Sequence, residues 1–259
     1  MLRKGDLTQG GITGTLLHFT LPMMVGSFLQ QCYNIADTLI VGQCIGAGAL
    51  AAVGSAYTLM VFLISVLLGL AMGSGTVFSL HYGAGNHVAL RRSIFSSFVL
   101  IGIVTLILNV AVFIWLDPIL RLLQVPQDIY GMMRSYLWII FCGIVFTFIY
   151  NFYASLLRAV GDSVTPLWFL AVSVVLNIAL DLFFILQLDW GIQGAAAATV
   201  LAQGVAALGI IIYTYRRRPE LRWHHEDMCF DRTCLKEIAS FSTLTCVQQS
   251  VMNLGILMV

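Results

Sequence analysis

The chain has 259 residues, of which 59% are apolar and only 10% are charged, with a formal net charge of +1. A soluble domain carries about 25% charged residues, so this composition excludes an ordinary soluble domain and predicts a protein whose solvent is the lipid bilayer. The near-neutral charge also argues against a nucleic-acid partner.

Seven apolar runs follow one another along the chain. A membrane-spanning helix needs about 20 mostly apolar residues, and six runs reach that length. These predicted spans 1 to 6 cover residues 16–41, 50–78, 94–116, 136–157, 167–188 and 192–215. A seventh run begins near Ile238 and is still apolar at Val259, where the sequence stops, so we expect the intact protein to be longer.

Turn-forming and charged residues separate the runs. Asp117-Pro118 and Val125-Pro126 predict a loop before span 4, and three arginines at 216–218 close span 6. We therefore predict an all-α polytopic membrane protein, with no catalytic site and no cofactor. Its three parts are a six-helix lobe over 1–215, a loop over 216–237 and the start of a seventh helix over 238–259.

Lysine and arginine predict the orientation. With the amino terminus inside, the inner segments carry eleven of these residues, and the outer loops carry only Arg121 and Arg134. Basic residues concentrate in cytoplasmic segments. The amino terminus and the 216–237 loop are therefore predicted to be cytoplasmic, in a multi-pass protein of the plasma or inner membrane.

The six runs contain two acidic residues, Asp37 in span 1 and Asp181 in span 5. A charge at membrane depth costs about 2.5–3.5 kcal/mol on insertion scales, so such residues usually face a polar cavity and serve transport. At about 1.5 Å of rise per residue, both carboxylates and Thr199 of span 6 fall in the outer half of the bilayer.

Each of these three residues has polar companions on its own helix face, at spacings of three or four residues. The companions are Ser27, Gln30, Tyr33 and Asn34 in span 1, Ser173 and Asn177 in span 5, and Gln203 in span 6. The pattern predicts one water-accessible cavity between spans 1, 5 and 6. Interhelical hydrogen bonds, at about 0.6 kcal/mol each on average, are the alternative, and they explain two carboxylates poorly.

A pair of carboxylates in such a cavity should hold a proton or a small cation, because like charge and lost hydration both disfavour double ionisation. Asn177 and Thr199 add neutral oxygen ligands, which suit Na⁺, whereas a proton needs only the carboxylates. The sequence is compatible with either H⁺ or Na⁺ as the bound ion. Pro22 in span 1 removes a helix hydrogen bond and predicts either a hinge that responds to Asp37 or a static bend.

Six segments, in this order and spacing, resemble the multidrug and toxic compound extrusion (MATE) exporters. They are Thr20-Leu21-Pro22, residues 33–38 with 41–42, residues 49–54, residues 157–162, residues 177–181 and residues 191–199. The resemblance implies twelve helices in two six-helix lobes, alternating access, and exchange of H⁺ or Na⁺ for amphipathic, often cationic compounds. This chain would then be the amino-terminal half and would lack the carboxy-terminal lobe.

The resemblance also implies roles for individual residues. It maps the proposed cation site onto Asp37, Asn177, Asp181 and Thr199, and the family's proline and tyrosine positions in helix 1 onto Pro22 and Tyr33. The polar residues Gln30, Tyr33, Asn34 and Asn151, all within helices, are candidate substrate contacts. Na⁺ at the cation site is the only metal expected.

Three alternatives remain beside this interpretation. A flippase of lipid-linked saccharides shares the architecture, although the Asn177, Asp181 and Thr199 set fits a MATE exporter better. An intramembrane aspartyl protease would use two membrane aspartates, but Asp181 follows Ile178-Ala179-Leu180 where such proteases typically carry Gly-x-Gly. A seven-helix receptor would normally place the amino terminus outside, against the charge bias.

Overall fold

The computed structural model describes residues 12–222 and 232–257. Arg3, Lys4 and the middle of the predicted 216–237 loop lie outside the described residues. The described part is almost entirely helical and contains no strand, which confirms the all-α prediction. Its eight α-helices are α1 (Ile12–Cys44), α2 (Ala47–Gly83), α3 (His87–Leu122), α4 (Gln127–Cys142), α5 (Ile144–Ala159), α6 (Val164–Leu182), α7 (Gly191–Arg217) and α8 (Arg232–Leu257).

Two short turns extend this set. A π-helical turn, Phe183–Gln187, continues α6, and a 3₁₀ turn, Pro219–Leu221, follows α7. The seventh predicted run corresponds to α8, which begins at Arg232, earlier than the expected Ile238, because the polar residues that precede the run are also helical.

Long apolar helices account for most of the chain. Among the described residues, α2, α3, α6 with its π-helical turn, and α7 are long and apolar enough to cross a membrane. The pair α4–α5 adds a fifth such span if the two bent helices count as one. Helix α1 is not in this set, although its 33 residues exceed the length that a bilayer requires. It is the helix that carries Gln30, Asn34 and Asp37.

Predicted span 4 is two helices rather than one. Helices α4 and α5 meet at Gly143 with a bend of 47°. A Cβ atom at Gly143 would overlap the Val200 side chain, so glycine lets α7 approach the bend closely. Asn109 Nδ2 of α3 donates to the Phe141 carbonyl oxygen at 3.1 Å, which gives a partner to one of the carbonyls at the end of α4.

The predicted loop at Asp117-Pro118 is wrong, because both residues lie inside the last turns of α3. The Asp117 carboxylate accepts hydrogen bonds from Tyr130 Oη at 2.8 Å and from Arg134 Nε at 2.8 Å. These partners belong to α4. The polar residues therefore mark a contact between two helix ends, and the chain reverses only after Leu122.

Five helices form a closed ring. Helix α1 packs against α2 and α6, α6 packs against α7, α7 packs against α5, and α5 packs against α2. Helix α3 lies against α2 and α5, and α4 contacts α2 and α7. The ring places α1, α6 and α7 side by side. These are the helices that carry Asp37, Asp181 and Thr199.

Helix α8 packs along α2 at short distance. A Cβ atom at Gly69 would overlap the backbone of Cys246, and a Cβ atom at Gly73 would overlap the backbone of Ser242. Ser242 Oγ donates to the Leu70 carbonyl oxygen at 3.3 Å, and Cys246 Sγ donates to the Val66 carbonyl oxygen at 3.4 Å. Small residues allow membrane helices this approach.

Candidate functional site: a carboxylate pair between α1, α6 and α7

The two membrane aspartates meet. Asp37 of α1 is 9% exposed and Asp181 of α6 is fully buried. Their carboxyl groups are close enough to interact electrostatically. The Oδ1 atom of each has no hydrogen-bond partner among the described residues. Buried polar atoms are normally satisfied, and two adjacent carboxylates resist double ionisation, so this pair is suited to hold a proton or a cation.

Asn177 supports Asp181 from one turn earlier on α6. The hydrogen-bond network assigns its amide orientation: Nδ2 donates to Asp181 Oδ2 at 2.9 Å, and Oδ1 accepts from the Thr199 backbone N–H at 3.2 Å. The spacing of four residues places Asn177 and Asp181 on one face of the helix. Both side chains are buried, and the amide thus joins the carboxylate on α6 to α7.

Thr199 completes the link to α1. Its Oγ1 atom lies 3.3 Å from the Asn177 amide and 3.3 Å from Tyr33 Oη. Tyr33 precedes Asp37 by one helical turn, so the same face of α1 presents both residues to the cluster. The structure brings together the four predicted cation-site residues with Tyr33, and we call this set the cation cluster.

Among the described residues, the other predicted substrate contacts form no hydrogen bond to the cation cluster. Gln30 is exposed on α1, and Asn34 Nδ2 donates to Gln31 Oε1 at 3.1 Å on the same helix. Asn151 lies on α5, where its Nδ2 donates to the Thr147 carbonyl oxygen at 2.8 Å. Pro22 lies within α1, which continues through it as one helix.

Tyr136, which was not predicted from the sequence, also lies at this site. Tyr136 lies on α4, is 4% exposed, and is close enough to interact electrostatically with Asp37, Tyr33 and Asp181. It lies at the edge of an apolar run and has no polar residue one turn away on its helix. The sequence therefore contains no polar spacing pattern that would indicate a site at Tyr136. Its phenol brings a fourth helix to the cation cluster.

Thr147 and Gln203 are a further pair that only the structure brings together. Thr147 Oγ1 of α5 donates to Gln203 Oε1 of α7. Gln203 was predicted to share a helix face with Thr199, which it follows by four residues, whereas Thr147 was not singled out. With Asn151, these residues form a second polar group beside the cation cluster.

Comparison with known proteins agrees with this architecture. The family model for MatE matches residues 22–183, which include Asp37, Asn177 and Asp181. The chain is 37% identical over 217 residues to the probable multidrug resistance protein YpnP of Bacillus subtilis (strain 168), a match that covers 84% of this chain and 49% of that protein.

Two further similarities concern an exporter and a solved structure. The chain is 31% identical over 210 residues to the multidrug export protein MepA of Staphylococcus saprophyticus, covering 78% of this chain and 45% of that protein. A structure described as the outward-facing conformation of a multidrug resistance MATE family transporter superposes with a TM-score of 0.91 at 24% identity, covering 99% of this chain and 57% of that one.

These matches favour neither the flippase nor the protease alternative. The chain spans about half the length of the curated relatives it matches. The family model covers more than half of the chain, and it includes both carboxylates of the cation cluster. The chain therefore belongs to the MatE family of multi-pass membrane transporters.

Proposed function

We propose that this chain forms the amino-terminal lobe of a cation-coupled antiporter that exports amphipathic, often cationic compounds by alternating access. The proximity of the Asp37 and Asp181 carboxyl groups supports the coupling of transport to a cation. The names of the relatives YpnP and MepA support multidrug export. We further propose that the amino terminus is cytoplasmic and that a carboxy-terminal lobe completes the transporter.

The coupling follows from the electrostatics of the pair. A proton or Na⁺ at the pair removes the repulsion between the carboxylates and lets α1 pack against α6. Release of the ion leaves two like charges in low-dielectric surroundings, which favours a state in which α1 moves away from α6. A ligand shifts such an equilibrium only by its differential affinity for the two states, and the cation cluster supplies that difference.

Helix α1 is the element that would move. It contributes Tyr33 and Asp37 to the cation cluster. Pro22 lies fifteen residues before Asp37 on the same helix, and its pyrrolidine ring removes a backbone N–H donor there. We propose that Pro22 is the hinge. Gln30 and Asn34 on α1 are the substrate contacts that such a movement would displace, and Asn151 on α5 is the third proposed contact.

Export is tested in bacteria that lack their own drug exporters. The chain is expressed together with the carboxy-terminal half of the Bacillus subtilis relative, and the accumulation of the cationic dye ethidium is measured. We expect lower accumulation than in cells carrying the same pair with Asp37→Asn. Asp117→Asn is the matched control, because Asp117 is an exposed carboxylate paired with Arg134. Equal dye accumulation with all three at equal expression would contradict the proposal.

A further inference from the structure

The second polar group lies between α5 and α7. It consists of Thr147, Asn151 and Gln203, all half-buried. Thr147 Oγ1 donates to Gln203 Oε1, and Asn151 Nδ2 donates to the Thr147 carbonyl oxygen at 2.8 Å. The residues described in the structure form no hydrogen bond to Asn151 Oδ1. We call this group the α5–α7 oxygen group, because each side chain contributes one uncharged oxygen atom.

This group continues the cation cluster along the lobe. Gln203 follows Thr199 by four residues, which places it on the same side of α7, about 6 Å further along the axis. Asn151 follows Thr147 by one turn in the same way on α5. Both helices run on to basic last turns, with Arg158 in α5 and Arg217 in α7. We call this end of the lobe the basic end.

The chemistry of the group suits a metal cation in transit. Hydroxyl and amide oxygens are ligands that hard cations accept, and they cannot release or take up a proton at ordinary pH. Conduction requires sites that bind a cation well enough for entry and weakly enough for exit. Three neutral oxygens bind Na⁺ more weakly than a carboxylate pair does, so they can pass the ion on.

We propose that Thr147, Asn151 and Gln203 form a transit site for Na⁺ between the Asp37–Asp181 pair and the basic end of the lobe. The inference rests on the proposed function, since the carboxylate pair must first hold the cation. The competing explanation is structural: the Thr147–Gln203 hydrogen bond would only hold α5 against α7.

The test measures equilibrium binding and release of radioactive ²²Na⁺ with the purified chain in lipid nanodiscs. In Thr147→Val and Gln203→Leu we expect the affinity for Na⁺ to be unchanged. The rates of Na⁺ binding and release should both fall by about three- to tenfold, because losing one hydrogen-bonding group raises the barrier to ion passage by a corresponding amount. Thr147→Ser keeps the hydroxyl and should retain the wild-type rates. The control is Thr214→Val, because Thr214 Oγ1 bonds only to the Ile210 carbonyl oxygen of its own helix, at 2.8 Å.

Two results would overturn the transit site. Wild-type release rates in Thr147→Val and Gln203→Leu, with a lowered melting temperature, would show that the group only joins the helices. Failure of the wild-type chain to bind ²²Na⁺ would exclude the transit site, although proton binding that depends on Asp37 would still support the proposed function. Full Na⁺ binding by Asp181→Asn would instead count against the cation cluster itself.

Discussion

The hydroxyl oxygens of Tyr33 and Thr199 lie 3.3 Å apart and join α1 to α7. The same Thr199 Oγ1 lies 3.3 Å from the amide of Asn177 on α6. One small hydroxyl therefore stands between three helices, beside the carboxylate pair. Any displacement of α1 from α6 and α7 breaks the contact that Tyr33 makes, so the state of the cation cluster and the position of α1 are physically linked.

Removing that hydroxyl should weaken cation binding without changing the shape of the site. In Thr199→Val we expect the dissociation constant for the coupling ion to rise by about three- to tenfold, because one hydrogen-bonding oxygen is lost. Thr199→Ser should bind like the wild type. Titration calorimetry with Na⁺, and proton uptake measured with a pH-sensitive dye, check both variants. Equal affinity of the valine and serine variants would count against a role for this oxygen.

The bend between α4 and α5 should depend on the absence of a side chain at Gly143. A Cβ atom there would overlap Val200, and overpacking typically costs about 1–3 kcal/mol. We expect Gly143→Ala to lower the melting temperature of the chain in detergent. Gly54→Ala is the matched control, since its added methyl group meets no neighbouring atom within 4 Å. A melting temperature equal to that of the control would disprove the close packing of α7 on the bend.

The packing of α8 on α2 should be equally sensitive to a methyl group. Gly73→Ala introduces a Cβ atom where the Ser242 backbone lies, so α8 must move outwards. Cys246, which is half-buried in this contact, should then react several-fold faster with a water-soluble maleimide, as measured by peptide mass spectrometry. Gly83→Ala, which meets no neighbour within 4 Å, should leave the labelling rate of Cys246 unchanged.

Substitution of Pro22 distinguishes the two explanations of its role in α1. Pro22→Ala restores a backbone N–H donor and stiffens the helix. Spin labels on Cys44 and on a cysteine introduced at Leu186 report the distance between the ends of α1 and α6. We expect ion loading to change this distance in the wild type and to change it much less in Pro22→Ala. The same change in both proteins would make Pro22 a static bend.

Much of the site could be predicted because helical spacing is a strong signal in an apolar sequence. Asp37, Asp181 and Thr199 were predicted at matched depth, with Asn177 on the same helix face as Asp181, and the ring of helices brings all four together. The prediction that failed concerned a short segment. Asp117-Pro118 was predicted to be a loop because a charge and a proline usually end a helix. In the structure, Tyr130 and Arg134 donate hydrogen bonds to the Asp117 carboxylate where the ends of α3 and α4 meet.

Other features could not be read from one sequence. The break at Gly143 interrupts an apolar run without any polar residue, so only the approach of Val200 reveals why glycine is there. Tyr136 and Thr147 reach their partners through tertiary packing, across helices that are distant in sequence. A pattern confined to one helix contains no information about such partners, which explains why both residues were missed.

The proposed function depends first on Asp37 and Asp181 acting as one cation-binding unit. Its most direct test compares Na⁺ and proton binding by the purified chain in lipid for the wild type, Asp37→Asn and Asp181→Asn, with Asp117→Asn as the control carboxylate. We predict that each site substitution removes binding of the coupling ion and that the control retains it. Unchanged ion binding in both site variants would show that the carboxylates are structural and would contradict the mechanism.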